Sequence, residues 1–329
     1  MNRKPLYPEP FVLIYDSDMG NDIDDAFAQI MTAQAHAAGK TKLALALSSN
    51  PNPWSVAAID ALNRYYGVMD CPLGIYFGRV KAAWDNYAST IAGGKWMNPE
   101  TVMDGVASLR KILNQQDDNS VRLVATGFAS NLSGLLFSEA NHQGDGIPFT
   151  GIELARRKIQ FISIMAADFV ASANPATQEG EFNVACDIPA MRDVMNDWPT
   201  DMFISDFTIG NQVLVDWPRL KCKLKDSNPL KAGYIDYYEG PAKLSRSKPG
   251  EILNRPSWDQ TSMLFALEPD GGHFAISAEG KVTIDDRGLS FFCPEADGKR
   301  YLLSFDERHT PEAVNEYLLI KYYHEPAIE

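Results

Sequence analysis

Residues that bind soft metals or staple a fold are scarce in this chain: five histidines and four cysteines in 329 residues. Cys71, Cys186, Cys222 and Cys293 stand far apart with no C-x-x-C pair, so neither a zinc cage nor a disulfide framework is indicated, and they read as reduced thiols. There is no basic run, and the net charge is −13. That balance argues against a nucleic acid or an anionic membrane surface as partner. No stretch approaches the roughly 18 apolar residues of a membrane span. The N-terminus, M-N-R-K-P-L-Y-P-E-P, has a basic start but lacks the apolar core of a signal peptide. As it stands the chain is expected to be cytoplasmic, and a form trimmed of an export signal would look the same. Repeats and low-complexity segments are also missing.

What the chain has in excess is aspartate in one place. The apolar run Phe11 to Tyr15 reads as a buried strand, and a helix-period pattern (Phe27, Ile30, Met31) starts after Asp25. Between them lie Asp16, Asp18, Asp22, Asp24 and Asp25. So many carboxylates at the end of a buried strand repel one another unless a cation or donors offset the charge. With no Cys or His nearby, a hard ion held by oxygen ligands is the functional reading. The plain alternative is a solvated acidic turn in which Asp22 or Asp24 caps the next helix.

The length allows one large α/β domain or two smaller ones, and the 45% apolar content is that of an ordinary globular protein. Strands are expected at 11–15, 43–47, 73–77, 121–125 and 159–164, alternating with helices at about 26–38, 54–66, 98–116 and 130–137. Irregular loops should occupy 78–96 and 165–185, with an exposed glycine-rich stretch at 144–151. Further on come a strand at 202–205, a helix near 209–215, a basic, Pro-containing connector at 218–229 and a helix at 258–267. Strands at 281–284, 290–293 and 301–305 and a helix at 311–323 complete the reading. This alternation predicts an α/β, Rossmann-like, mostly parallel sheet covered by helices on both faces. Residues 1–329 are read as one domain, with a small β-hairpin and helix addition from about 270. Ligands bind beyond the carboxyl ends of such strands. The segments starting at Asp16, Ser48, Gly78 and Thr126, and the one running from Met165 through Glu181 and Asn183, should therefore share one rim.

These motifs, in order, resemble the nucleoside hydrolases. Asp16 to Asp25 is similar to the longer D-x-D-x-G-x-D-x-D-D form of that family's first motif. V-A-T-G-F-A-S-N (Val124 to Asn131) resembles its T-G-P-x-T-N strand end, and Met165 its methionine after the next strand. Glu181-Phe182-Asn183 is similar to its E-F-N triplet, and Asp259 falls where a late metal-binding aspartate is expected. The likeness runs from residue 11 to about 268. It implies one Ca²⁺ held by Asp18, Asp25, Asp259 and the Thr126 carbonyl, with Asp18 as the general base for the attacking water. It further implies that Asp24, Asn50, Glu181 and Asn183 hold the sugar, with Met165 beside it, and that Asp16 orients from behind. A homodimer or homotetramer and a nucleoside substrate also follow from the resemblance.

The departure is Trp258, which stands where many members have a histidine thought to protonate the leaving base. A tryptophan can stack on a nucleobase, at roughly 1–3 kcal/mol per base, and purine-preferring members look like this. Trp84, or Tyr87, is the candidate second wall. The histidines, His36, His142, His273, His309 and His324, read as surface or satisfied groups. Each assignment has a plain counterpart: Asn50 before Pro51 as a turn residue, Thr126 as a strand end, Asp259 as a helix cap, Trp84 as core packing. Two other functions compete. Asp16-Ser17-Asp18 suits a haloacid-dehalogenase-like Mg²⁺ phosphatase superficially, although Gly20 stands where that family wants Thr or Val. The missing histidine also allows a non-catalytic nucleoside- or sugar-binding protein. An EF-hand is excluded, because the glycine comes fifth and a strand precedes the loop.

Overall fold

The computed structural model describes residues 7–240, apart from Pro175 and Thr177, and residues 252–326. Its strands are β1 (Val12–Ser17), β2 (Lys42–Ser48), β3 (Leu73–Ile75), β4 (Met103–Asp104), β5 (Val121–Ala125) and β6 (Ile159–Met165), followed by β7 (Asp201–Ser205), β8 (Ala275–Ile276), β9 (Gly280–Ile284), β10 (Ser290–Pro294) and β11 (Arg300–Ser304). They form one sheet in the order β10-β9-β11-β7-β6-β5-β1-β2-β3-β4, with β8 beside β11. From β4 across to β11 the neighbours are parallel. The antiparallel pairs are those of the C-terminal strands β8 to β11.

Central strands read as unbroken apolar runs because both faces are covered. Leu13 and Tyr15 enter one core with the helices Asp24–Ala37, Trp258–Leu267 and Pro311–Lys321. Ile14 faces the other, beneath the helices Gly105–Gln115, Ser130–Leu136, Gly151–Lys158 and Ile188–Asp197. β2 to β4 lie on one side of β1, and β5 to β7 on the other. A parallel sheet opens a crevice where its winding reverses in this way. Asp16 pairs with both Leu47 and Ala125, and the Thr126 amide donates to the Asp16 carbonyl at 2.9 Å. The first aspartate loop and the Thr126 turn thus leave the sheet side by side at that crevice.

The structure departs from the expected elements in several places. The helix expected at 98–116 is interrupted: Asn98 caps only the turn Pro99–Thr101, β4 follows, and the helix starts at Gly105. The Asp104 carboxylate, accepting from the Val106 and Ala107 amides, supplies the cap that sets this start. The third strand ends at Ile75 rather than 77. The glycine-rich stretch ends in a capping box, Thr150 with Glu153, that opens the helix Gly151–Lys158. The prolines at 189, 218 and 229 start helices rather than break them. Asp187, Asp216 and Asn228 cap Ile188–Asp197, Trp217–Lys223 and Pro229–Glu239, each with proline in its first turn. The helix expected near 209–215 is one turn, Phe207–Gly210, capped by Asp206. The C-terminal addition is continuous with the main sheet, since β11 pairs parallel with β7. Among the described residues, no helix is long and apolar enough to cross a membrane.

Candidate active site

At the carboxyl rim a cavity of about 380 Å³ opens between the loops that follow β1, β3, β5, β6 and β7 and the start of the helix Trp258–Leu267. Its wall carries Asp18, Asp22, Asp24, Glu181 and Asp259, with Arg255 as its one basic side chain among the described residues. Asp24 and Asp25 enter from the first turn of the helix Asp24–Ala37, where partial positive charge favours carboxylates. The residues at the two N-cap positions, Ile23 and Ser257, make no side-chain capping bond. The capping explanation of Asp22, Asp24 and Asp259 therefore fails. The Asp24 carboxylate instead accepts from the Asp259 amide at 3.1 Å, joining two segments far apart in sequence.

These acids are crowded and dry. Burial, with the neighbouring Asp259 and Asp18 charges, raises Asp24 and Asp25 well above the ordinary carboxylate range, and Asp259 is raised in the same way. Burial also pushes Asp18 up to about 7 and Glu181 to about 7. Neither oxygen of Asp25 has a hydrogen-bond donor, although the residue is 1% exposed. Among the described residues, no three His, Cys, Asp or Glu side chains already form a metal-holding group. The donor chemistry nevertheless fits a hard cation: a buried carboxylate that receives no donor, beside others whose ionised forms repel it.

Asp16 sits behind this group, at 1% exposure and away from the cavity wall. Asn131 holds both its oxygens at 3.2 Å, and burial pushes it up to about 8. The Thr126 carbonyl accepts from Asn183 Nδ2 at 2.8 Å, and the same nitrogen lies 3.3 Å from the Met165 sulfur. Glu181 accepts from the amides of Ala167, Asn183 and Val184, so it shapes its own loop while lining the cavity.

Asn50 does not reach the cavity. It is fully buried; its amide donates to the carbonyls of Met19 and Trp84, and its oxygen accepts from the Asn52 amide. The turn reading of Asn50 describes these contacts, because the side chain is fully buried against three backbone groups and lies off the cavity wall. Tyr87 is likewise no wall: it is buried, and its hydroxyl lies between the Gly20 amide and the Asp22 carbonyl. The histidines are all absent from the cavity lining.

Two aromatic walls face the opening. Trp84, 48% exposed, tilts onto Phe182 at 5.7 Å between ring centroids. Trp258 stacks on Phe207 at 5.3 Å and 26° between planes, and its indole nitrogen donates to the Phe207 carbonyl. Sequence reading missed Phe207, Tyr237, Arg255, Asn21 and Asn86 on this wall. Asn21 was in view within the motif; Arg255 precedes Trp258 by three residues; Tyr237 rides on the unforeseen helix Pro229–Glu239. Arg255 is the partner of Asp22. Its guanidinium forks onto the Asp22 carboxylate and lies over the rings of Trp258 and Tyr237, at 5.1 and 5.3 Å.

Fold and cavity together define an α/β enzyme whose site lies at the sheet's winding switch, acid-floored and aromatic-walled. The chain belongs to the inosine-uridine preferring nucleoside hydrolase family, whose model matches residues 13–301. Its class is therefore nucleoside N-glycosyl hydrolase, and the phosphatase alternative loses its basis. The structure is similar to an inosine-uridine preferring nucleoside hydrolase from Bacillus anthracis (TM-score 0.69, 14% identity, covering 95% of this chain and 99% of that one). It is also similar to a plant nucleoside hydrolase (TM-score 0.68, 18% identity, 95% and 99%). A purine-preferring ribonucleoside hydrolase from Gardnerella vaginalis matches at a TM-score of 0.66 and 14% identity, covering 94% and 98%. No curated protein sequence matches the chain.

Proposed function

We propose that this enzyme hydrolyses the N-glycosidic bond of purine ribonucleosides, with Ca²⁺ as cofactor and Asp18 as general base, and works as a homo-oligomer. The observation that carries the reading is the meeting of a buried, under-partnered carboxylate cluster with two tryptophan walls in one cavity. Asp18, Asp25, Asp259 and the Thr126 carbonyl are the residues that would hold the ion. When bound, it would make the attacking water more acidic and anchor sugar hydroxyls.

Asp18 takes the proton of that water as its oxygen attacks the anomeric carbon. The C–N bond breaks through an oxocarbenium-like transition state, and its electron pair leaves with the base. Asp24, Glu181 and Asn183 accept from and donate to the ribose hydroxyls, fixing the ring and favouring its distortion. Trp84 and Trp258 clasp the base and exclude water from it. A purine offers more ring face to this clasp than a pyrimidine, and its N7, at the ring edge, takes a proton from solvent, to which Asp18 returns its own after turnover, so no imidazole is required at position 258.

Ribose release from inosine, adenosine, guanosine, uridine and cytidine, with Ca²⁺ and with EDTA, tests the proposal. Purine nucleosides are expected to turn over at least tenfold faster than pyrimidine nucleosides, and EDTA to abolish both. Tight nucleoside binding with no ribose released from any of the five would instead establish a non-catalytic binding protein.

A further inference from the structure

The segment carrying Trp84 is fastened to the aspartate loop, and Asn21 is the clasp. Asn21 is 4% exposed and lines the cavity. Its Nδ2 donates to Asp18 Oδ2 at 2.6 Å, and its Oδ1 accepts from the Trp84 amide at 3.2 Å. One planar amide thus touches both the proposed base and the backbone of a base-stacking wall. Other bonds run in parallel. The Asn86 amide donates to the Gly20 carbonyl and its side chain to the Asn21 carbonyl, at 2.9 and 2.7 Å. Tyr87 donates to the Asp22 carbonyl and accepts from the Gly20 amide. Gly20 has φ +114°, and a Cβ there would lie 2.9 Å from the Trp84 carbonyl oxygen, so loop and segment approach as closely as backbone allows.

We propose that Asn21 is a positioning residue that couples the nucleobase wall to Asp18: by holding Oδ2 it fixes the rotation of the carboxylate and leaves Oδ1 for the water, and by holding the Trp84 amide it sets the distance from that carboxylate to the stacked base. The proposal rests on the nucleoside hydrolase reading above. A rotating carboxylate loses alignment with the water, and a misplacement of about 1 Å can cost a factor of about a hundred in rate. The other bonds between the two segments keep the wall folded when Asn21 is replaced.

Two variants separate the arms of the amide. Asn21→Asp, assayed above the pH at which the new carboxyl ionises, keeps the shape and an acceptor for the Trp84 amide but replaces the donor to Asp18 with a like charge. Asn21→Leu removes both. With Ca²⁺ at saturation, Asn21→Asp is expected to lower kcat on inosine about a hundredfold, with inosine affinity, read by quenching of tryptophan fluorescence, within about threefold of the parent. Asn21→Leu is expected to lower kcat similarly and to weaken affinity at least tenfold. A thermal melt checks that each variant folds; one whose melting point falls far below the parent's is replaced by Asn21→Ser, which keeps a hydroxyl donor and should recover part of kcat. Parental kcat in Asn21→Asp, or equal affinity losses in Asn21→Asp and Asn21→Leu, would overturn the coupling. Failure of the parent protein to release ribose would refute the enzyme reading instead, and is read from the parent alone.

Discussion

Removing the cation should make this protein's stability depend on pH in a direction opposite to that of ordinary acid denaturation. Burial holds Asp18 at about 7 against an ordinary 3.8, and Asp24, Asp25 and Asp259 are displaced the same way. Between pH 4 and 7 the native metal-free chain therefore binds more protons than the unfolded chain, and stability falls as pH rises through that window. For Asp18 alone the displacement corresponds to about 4 kcal/mol, fully expressed above pH 7. A divalent ion replaces those protons. At pH 5.5 it must displace a proton held about 1.5 units more tightly than the solution sets, which weakens Ca²⁺ binding about thirtyfold relative to pH 8. With Ca²⁺ at a hundred times its dissociation constant at pH 8, the gain is about 2.7 kcal/mol. For a chain of this size that is a rise in melting temperature of roughly 5 °C. Calorimetric Ca²⁺ titrations and thermal melts at both pH values measure the two quantities. Ca²⁺ affinity that is equal at pH 5.5 and 8, or tighter at 5.5, would refute the argument.

Other substitutions probe other parts of the site and fold. Trp258→Ala should lower kcat/KM on inosine by at least tenfold and on uridine by less than threefold, measured by ribose release; equal losses would remove Trp258 from purine selection. Arg255→Met should leave Asp22 without its partner in a wall of carboxylates, tightening Ca²⁺ in calorimetry while weakening inosine; no change in either would make the pair a bystander. Arg110 is fully buried and donates to Asp145, Ser138 and the Phe149 carbonyl. Arg110→Ala should cost about 2–4 kcal/mol by urea denaturation, because it empties a fully buried site and takes a donor from the Ser138 hydroxyl and the Phe149 carbonyl.

The parallel core was legible because its strands are apolar on both faces, and the rim because parallel sheets place loops of every strand at one end. Asp18, Asp24, Thr126, Glu181, Asn183 and Asp259 line one cavity, while Asp16 and Asp25 are not on its wall. Three helices that went unread, Ile188–Asp197, Trp217–Lys223 and Pro229–Glu239, share one cause: their starting prolines look like breakers unless the capping Asp or Asn before them is noticed. Asn50 was misplaced because a polar residue at a rim looks the same in sequence whether it faces the cavity or braces its own turn. Arg255 and Phe207 were missed because their roles come from stacking and ion pairing across long sequence separations, which no local pattern records.

The loop bearing Glu181 and Asn183 is fastened by the last part of the chain. The Gly180 amide donates to the Arg287 carbonyl, and Gly180 and Gly288 meet backbone to backbone, where a Cβ on Gly180 would fall 2.0 Å from the Gly288 oxygen. The Ser290 amide donates to Ser172 at the other end of the same loop. β10 follows directly and is tied through β9 to β11, the strand that docks on β7. During synthesis, then, the aspartate loop and Thr126 emerge early, but the loop proposed to bind the sugar stays unbraced until about residue 304 has left the ribosome. A nascent chain stopped before that point should hold the acidic floor of the site without a fixed grip on ribose, so competence for turnover arrives with the C-terminal strands.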